Sequence, residues 1–303
     1  MPIFRIISFD GGGVRGALSS RLFKRLILDN PGLIKYTDLF AGTSTGGLIS
    51  LSLAYGLTPD EIDELYSFNN MKTIFTPKRF NLFHPKYKNK ALRKLISTSI
   101  SSDATLNDLD KFVFIPSFNL KGTTANHWQG IFFNNLNNPS KHNYKIVDVA
   151  LATSAAPTYF PSYNNFIDGG VITNCPAMAS VITVMHKFPG KYRLQDFRVL
   201  SIGCGDCEKR IETNTSKWGI LQWSLQPFSS VNLPLISVLL NDTSSLEDLY
   251  CRELLGNTYL RINPKLPEDI ELDNYKKVTL LKNTANKYNL SKANSFIRDV
   301  FLK

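Results

Sequence analysis

Short apolar runs alternate along the chain with stretches in which apolar residues return every three or four positions. Phe4–Phe9 is one such run and ends at three glycines, after which Leu18, Leu22 and Leu26 recur at a spacing of four, one face of a helix. That predicts strand, turn, helix. The unit returns at Leu39–Gly42 followed by Thr45–Tyr55, at 112–115, at 166–167 followed by 176–185, and at 198–202. Such alternation predicts an α/β fold around a mostly parallel sheet. In sheets of this kind ligands bind at the carboxyl ends of the strands. Residues 234–255 and 274–301 read as largely helical, with a strand expected at 258–262 before Asn263-Pro264. There is no repeat, low-complexity tract or long linker. A single domain over 1–303 is therefore expected, with the helical part 206–303 packed on the part that holds the motifs.

Composition narrows the class. With 303 residues, 43% of them hydrophobic, the chain can bury a sizeable core. Met1-Pro2-Ile3-Phe4-Arg5 runs straight into the first strand, without the features of a secretory signal. The apolar stretch at 231–240 is broken by Asn232, Pro234 and Ser237 and is too short to span a bilayer. A cytoplasmic location is expected. Four cysteines, Cys175, Cys204, Cys207 and Cys251, make no disulfide framework. Cys204 and Cys207 have the spacing of a redox pair, but structural thiols are the preferred reading, and no zinc site is expected.

The formal net charge of +10 points to anionic partners, and its distribution is more telling than its total. Between Glu64 and Asp103 there is no acidic residue, while Lys72, Lys78, Arg79, Lys86, Lys88, Lys90, Arg93 and Lys94 fall there, interleaved with Phe75, Phe80, Phe83 and Tyr87. Cations alternating with aromatic rings over 72–94 suit peripheral contact with an anionic membrane surface. A solvated basic face is the plainer alternative. Nucleic acid is not expected, because no recognition signature accompanies the charge.

Three glycine-bearing segments carry the candidate chemistry. Gly42-Thr43-Ser44-Thr45-Gly46 stands where an apolar strand gives way to a helix, the setting of a nucleophile elbow. A serine at such a turn projects its hydroxyl into a cleft, and the helix that follows favours negative charge there. Asp10-Gly11-Gly12-Gly13-Val14-Arg15-Gly16 follows the first strand, and backbone N–H groups of such a turn can face an oxyanion. The same residues also satisfy the GxGxxG fingerprint of NAD(P)-dependent oxidoreductases. That fingerprint needs an acidic residue at the end of the second strand, which Asp29 and Asp38 supply poorly. The third segment begins Asp168-Gly169-Gly170. His84, His127 and His142 precede Asp168, and His186 lies at the end of a helical run, so no histidine stands well as the base of a triad. A carboxylate held in a poorly solvated pocket could take the serine proton instead.

The order Asp-Gly-Gly-Gly-x-Arg-Gly, Gly-Thr-Ser-Thr-Gly and Asp-Gly-Gly resembles the patatin-like phospholipase family. Residues 83–87, 152–161, 200–203 and 259–264 resemble further segments of it, so the likeness covers nearly the whole chain. The resemblance implies a three-layer α/β/α fold and a Ser44–Asp168 dyad that acts through an acyl-enzyme. It also implies oxyanion N–H groups from Gly11, Gly12 and Gly13, an arginine of the motif at Arg15, a phospholipid or other lipid ester as substrate, and no cofactor or metal. Cys204 departs from the pattern, since relatives commonly carry a small hydroxyl residue there. A non-catalytic lipid-binding or storage protein is the remaining alternative.

Overall fold

The computed structural model describes residues 2–77, 83–122, 127–136, 143–206, 211–224, 234–241 and 243–303. At its centre is a seven-stranded sheet. The strands are β1 (Phe4–Phe9), β2 (Leu39–Gly42), β3 (Phe112–Asn119), β4 (Gln129–Asn134), β5 (Phe166–Asp168), β6 (Phe197–Ile202) and β7 (Tyr259–Ile262). They lie in the order β4-β3-β2-β1-β6-β7, with β5 paired to β3. Strands β1, β2, β3, β6 and β7 run parallel, while β4 and β5 run antiparallel to β3.

The central strands are apolar on both faces because helices cover both. Ile7, Phe9, Phe40, Val113, Ile115, Leu200 and Ile202 enter one core, together with the helices Gly16–Asp29, Thr45–Tyr55 and Ile146–Thr153. Ile6, Leu39, Phe114, Phe197 and Val199 enter a second, with the helices Ala177–Lys187 and Thr243–Leu255. The result is an α/β fold around a mostly parallel sheet, as the sequence pattern predicts, in the three-layer α/β/α arrangement that the resemblance implies. Leu18, Leu22 and Leu26 are fully buried, so their spacing marks the inner face of the first helix.

The sheet departs from the sequence reading around β3. That strand was expected to stop at Ile115 but runs on to Asn119 through Pro116. Pairing with β2 ends at Phe114 and pairing with β5 begins at Ser117. The proline therefore falls in the gap between two partners, where a missing N–H costs the ladder little. Strand β4 was not expected at all. Its sequence, Gln-Gly-Ile-Phe-Phe-Asn, sets two rings side by side instead of alternating, and both find partners: Phe132 stacks on Phe114 while Phe133 packs edge-on to Tyr144.

The extension of β3 positions the site. With β4 on one edge, the far half of β3 offers the edge that β2 has already left, and β5 enters there head-on, pairing Asp168 with Ser117. The carboxyl end of β5 thus meets the carboxyl end of β2, just before Ser44.

Candidate active site

Ser44 has φ 54° and ψ −120°, a backbone conformation that is costly for a residue with a side chain. The surroundings hold it there. Its N–H donates to Thr153 Oγ1 at 3.0 Å, and Thr153 in turn donates to the Pro116 carbonyl at 2.6 Å. The Thr43 hydroxyl donates to the Thr173 carbonyl at 2.8 Å, and the Gly46 N–H closes the turn on the Thr43 carbonyl at 2.8 Å. A Cβ on Gly46 would stand 2.2 Å from the Phe9 carbonyl oxygen, so only glycine allows the helix Thr45–Tyr55 to start so close to β1.

Asp168 is 2% exposed. Its carboxylate accepts from the Gly170 N–H at 2.8 Å and from the Ser44 hydroxyl. Burial pushes its carboxyl up to about 6, while those two hydrogen bonds favour the anion and pull the other way. The structure therefore brings Ser44 and Asp168 together as a hydrogen-bonded pair.

The glycine loop arrives from β1 beside Ser44, where a Cβ on Gly11 would stand 3.4 Å from the Ser44 Cβ. The Gly11 N–H donates to the Asn174 carbonyl at 3.0 Å, so this amide is committed to structure. Gly12 and Gly13 line the cavity that holds Ser44. Gly13 has φ +56° and packs its Cα against the Leu272 carbonyl, a place no side chain could share. Arg15 is buried and does not line the cavity; its Nε approaches the Gly12 carbonyl at 3.4 Å, which places it behind the loop as a support. The Cys204 thiol donates to the Gly11 carbonyl at 2.9 Å. A hydroxyl could do the same, which accounts for the departure noted in the sequence.

Several site residues were not singled out for chemistry in the sequence, although Arg261 and Ser154 fall in segments that resemble the family. Arg261 on β7 makes a two-pronged ion pair with Asp10, at 3.0 and 2.5 Å, and donates to Ser201 Oγ at 2.8 Å. Glu247, on the helix Thr243–Leu255, accepts from the Thr173 hydroxyl and from the Cys175 N–H at 2.7 Å. Its carboxyl is pushed up to about 7, chiefly by burial. Asn174 Nδ2 reaches the Gly11 carbonyl at 3.3 Å and Ser244 Oγ at 3.0 Å. Ser154 lines the cavity, and its hydroxyl has no hydrogen-bond partner among the described residues.

The cavity, with the solvent-open space at its mouth counted, takes up about 650 Å³. Its polar groups, Ser44, Ser154, Asp168 and Asn174, gather around the elbow, and the rest of its wall is mostly apolar, with Leu48, Met71, Ile74, Phe75 and Leu92 among the lining. No histidine lines it among the described residues. His186 lies at the end of the helix Ala177–Lys187 on the other face of the sheet. Asp38 precedes β2 and accepts from the Arg5 N–H at 2.7 Å, at the opposite end of the strands from the glycine loop. The acidic residue that a dinucleotide fingerprint needs is therefore not beside Gly11–Gly13.

The basic segment divides. Lys78, Arg79 and Phe80 lie outside the described residues, as does Cys207 of the cysteine pair. Phe75 and Tyr87 are core residues that pack edge-on to one another, and Lys86 pairs with Asp273. Phe83 is 90% exposed, and Lys72, Lys88, Lys90 and Lys94 are exposed with it. Cys175, Cys204 and Cys251 are free, buried thiols. No described helix is long and apolar enough to cross a membrane.

The layers and strand order define an α/β/α protein with a serine elbow at the carboxyl ends of its strands. The profile of the family described as Patatin-like phospholipase matches residues 7–181, and the chain belongs to that family. It is 32% identical to Protein teg of Priestia megaterium over 98% of each chain. It is 31% identical to the putative sporulation hydrolase CotR of Bacillus subtilis, again over 98% of each. A cGAMP-activated phospholipase of Vibrio cholerae is 30% identical over 89% of this chain and 85% of that one. Among solved structures, the ExoU–SpcU complex of Pseudomonas aeruginosa aligns with a TM-score of 0.47 at 13% identity, covering 100% of this chain and 52% of that chain. Family and relatives make the protein a lipid acyl hydrolase. Glu247 and Arg261 lie beyond the segment that the family profile matches.

Proposed function

We propose that the protein releases fatty acids from membrane lipid esters, in the manner of a phospholipase A or lysophospholipase, with Ser44 as nucleophile and Asp168 as its base. The observation that carries this reading is the buried carboxylate of Asp168 bonded to a serine at a strained turn, inside a largely apolar cavity. As the Ser44 oxygen attacks the ester carbonyl carbon, its proton passes to Asp168. Negative charge gathers on the carbonyl oxygen. With the Gly11 amide engaged by Asn174, stabilising that charge falls to the N–H groups of Gly12 and Gly13, helped by the start of the helix Thr45–Tyr55. The C–O bond to the lipid alcohol then breaks, and the leaving oxygen takes the proton from Asp168. Water attacks the acyl-enzyme and gives its proton to Asp168, and as the bond to the Ser44 oxygen breaks that oxygen takes the proton back from Asp168 and the fatty acid departs. The unpartnered Ser154 hydroxyl is available to the ester or to that water.

The exposed lysines and Phe83 of 72–94 support peripheral docking on anionic membranes, which brings the cavity to its substrate. The helical part 206–303 belongs to the same unit, because Glu247 and Arg261 brace the loops around Ser44. Product analysis on defined phospholipids, with folding verified, tests the assignment. Ser44→Ala and Asp168→Asn should each lower turnover about a thousandfold or more, and a fluorophosphonate probe should label the wild-type protein but not Ser44→Ala. Full activity of folded Ser44→Ala would overturn the proposal. Absence of labelling in the wild-type protein would favour a lipid-binding or storage role.

A further inference from the structure

A second cavity, about 450 Å³ with its solvent-open space counted, adjoins the first. Leu48, Tyr66, Met71, Ile74 and Leu92 line both, so these five side chains form the partition between two chambers. The distal chamber continues along the same helices. On Thr45–Tyr55 the wall passes from Ser44 to Leu48 and Ser52, each four residues on, so one helix face runs about 12 Å away from the nucleophile. On Asn89–Ser99 it passes from Leu92 to Leu95, Ile96 and Ser99, again at the spacing of a single face. Both chambers thus lie along one line that starts at the proposed acyl-enzyme.

The chemistry of the walls is graded along that line. Among the described residues, the charged and amide side chains of the walls, Asp168 and Asn174, line the chamber that holds Ser44, and no charged side chain lines the distal one. Tyr66, the one partition residue with a polar end, turns its hydroxyl to Thr45 Oγ1 at 2.6 Å and to the Thr45 carbonyl at 3.0 Å, which leaves its ring facing the chambers. Met71 beside it is unbranched and flexible, a side chain suited to moving aside when another apolar group pushes in.

We infer that the two chambers are one acyl-chain tunnel, closed at the partition in the empty protein, and that the distal chamber selects for long fatty-acyl chains. The inference rests on the Ser44 ester-hydrolase reading. A short chain ends before the partition. A long one parts Met71 and Leu92 and buries its terminal methylenes against Leu95 and Ile96, each buried methylene being worth about a fourfold gain in binding.

Filling the distal chamber tests this. Leu95 and Ser99 line it without lining the first chamber, and both are half-buried, so a larger ring can be accommodated partly toward solvent. Leu95→Trp and Ser99→Phe should each lower the ratio of kcat/KM for a palmitoyl ester to that for a butyryl ester by about tenfold or more. An unchanged ratio in both folded variants, or an equal loss on both esters, overturns the tunnel. Binding of a fluorescent long-chain fatty acid to Ser44→Ala protein reads the chamber without chemistry. Leu95→Trp in that background should weaken the binding about tenfold, and unaltered binding contradicts the proposal. If wild-type protein hydrolyses no ester while fatty-acid binding still responds to Leu95→Trp, the hydrolase reading fails and the tunnel stands.

Discussion

Burial acts on Asp168 in two directions. A carboxyl pushed up to about 6 is a stronger base than an exposed aspartate yet still ionised at neutral pH, the state in which the proposed mechanism has it accept the Ser44 proton. Hydrolysis should therefore rise with pH through about 6 and level off above it, which a kcat/KM profile measures. The same shift costs stability. Because the folded value lies above the ordinary 3.8, the folded protein binds this proton more tightly than the unfolded chain. Stability from this group is fully present below 3.8, is lost as pH rises toward 6, and the ionised side chain then costs roughly 3 kcal/mol. Asp168→Asn removes the charge while keeping an acceptor for Gly170. Thermal unfolding should show this variant more stable than wild type at pH 7, with the gap closing below pH 4; equal melting at both would refute the assignment of cause. Ser44, Asp168 and the glycine loop were legible because tight turns demand small residues in a fixed order. Thr153 and Ser154 fall in a segment that resembles the family, but their roles were not legible. They end an ordinary apolar helix, and their partners are set by the course of β3, which no local pattern displays.

At the scale of elements, the loop 173–175 is the hub. It holds the elbow through Thr43 and the glycine loop through Gly11, and is itself held by Glu247 and Ser244 from the helix Thr243–Leu255. Glu247 touches no cavity atom, so it acts by position. Glu247→Ala strands the Cys175 N–H, leaves the Thr173 hydroxyl only its 3.4 Å contact with the Cys175 carbonyl, and should cost about 1–3 kcal/mol of stability. It should also lower kcat about tenfold with little change in KM, since the loops shift while the apolar walls remain. A kcat left intact would show that the brace is structural only. The helix itself was legible from its pattern, but its reach into the site was not, because a single glutamate among exposed residues has no periodic signature. The edge strand β4 escaped for a related reason: its form is imposed by pairing with β3.

For the whole molecule, charge and fold combine on one side. The helices Phe68–Ile74 and Asn89–Ser99 wall the cavities with their inner faces and carry exposed Lys72, Lys90 and Lys94 outside. An anionic bilayer meeting this side would lie against the helices that wall the cavities. Binding to vesicles rich in anionic lipid should be strong at low salt and fall as ionic strength rises toward 0.1 M, where screening acts over about 10 Å. Replacing Lys88, Lys90 and Lys94 together by glutamate should reduce it about tenfold or more. Vesicle binding indifferent to both changes would remove the membrane from this face. The net charge was legible at once, but which of the aromatics stay outside was not: Phe75 and Tyr87 belong to the core, whereas Phe83 is exposed.

The pair formed by Asp10 and Arg261 has a consequence for how the protein comes into being. Its members stand 251 positions apart, yet the first anchors the glycine loop and the second arrives on the last strand of the sheet. While the chain is being synthesised, Ser44 and Asp168 leave the ribosome long before Arg261. Until it joins, Asp10 has lost its partner and the loop beside Ser44 lacks its anchor, so the nascent chain holds the serine without a finished site. For a lipid hydrolase, late delivery of one arginine delays activity until the last strand of the sheet has been made.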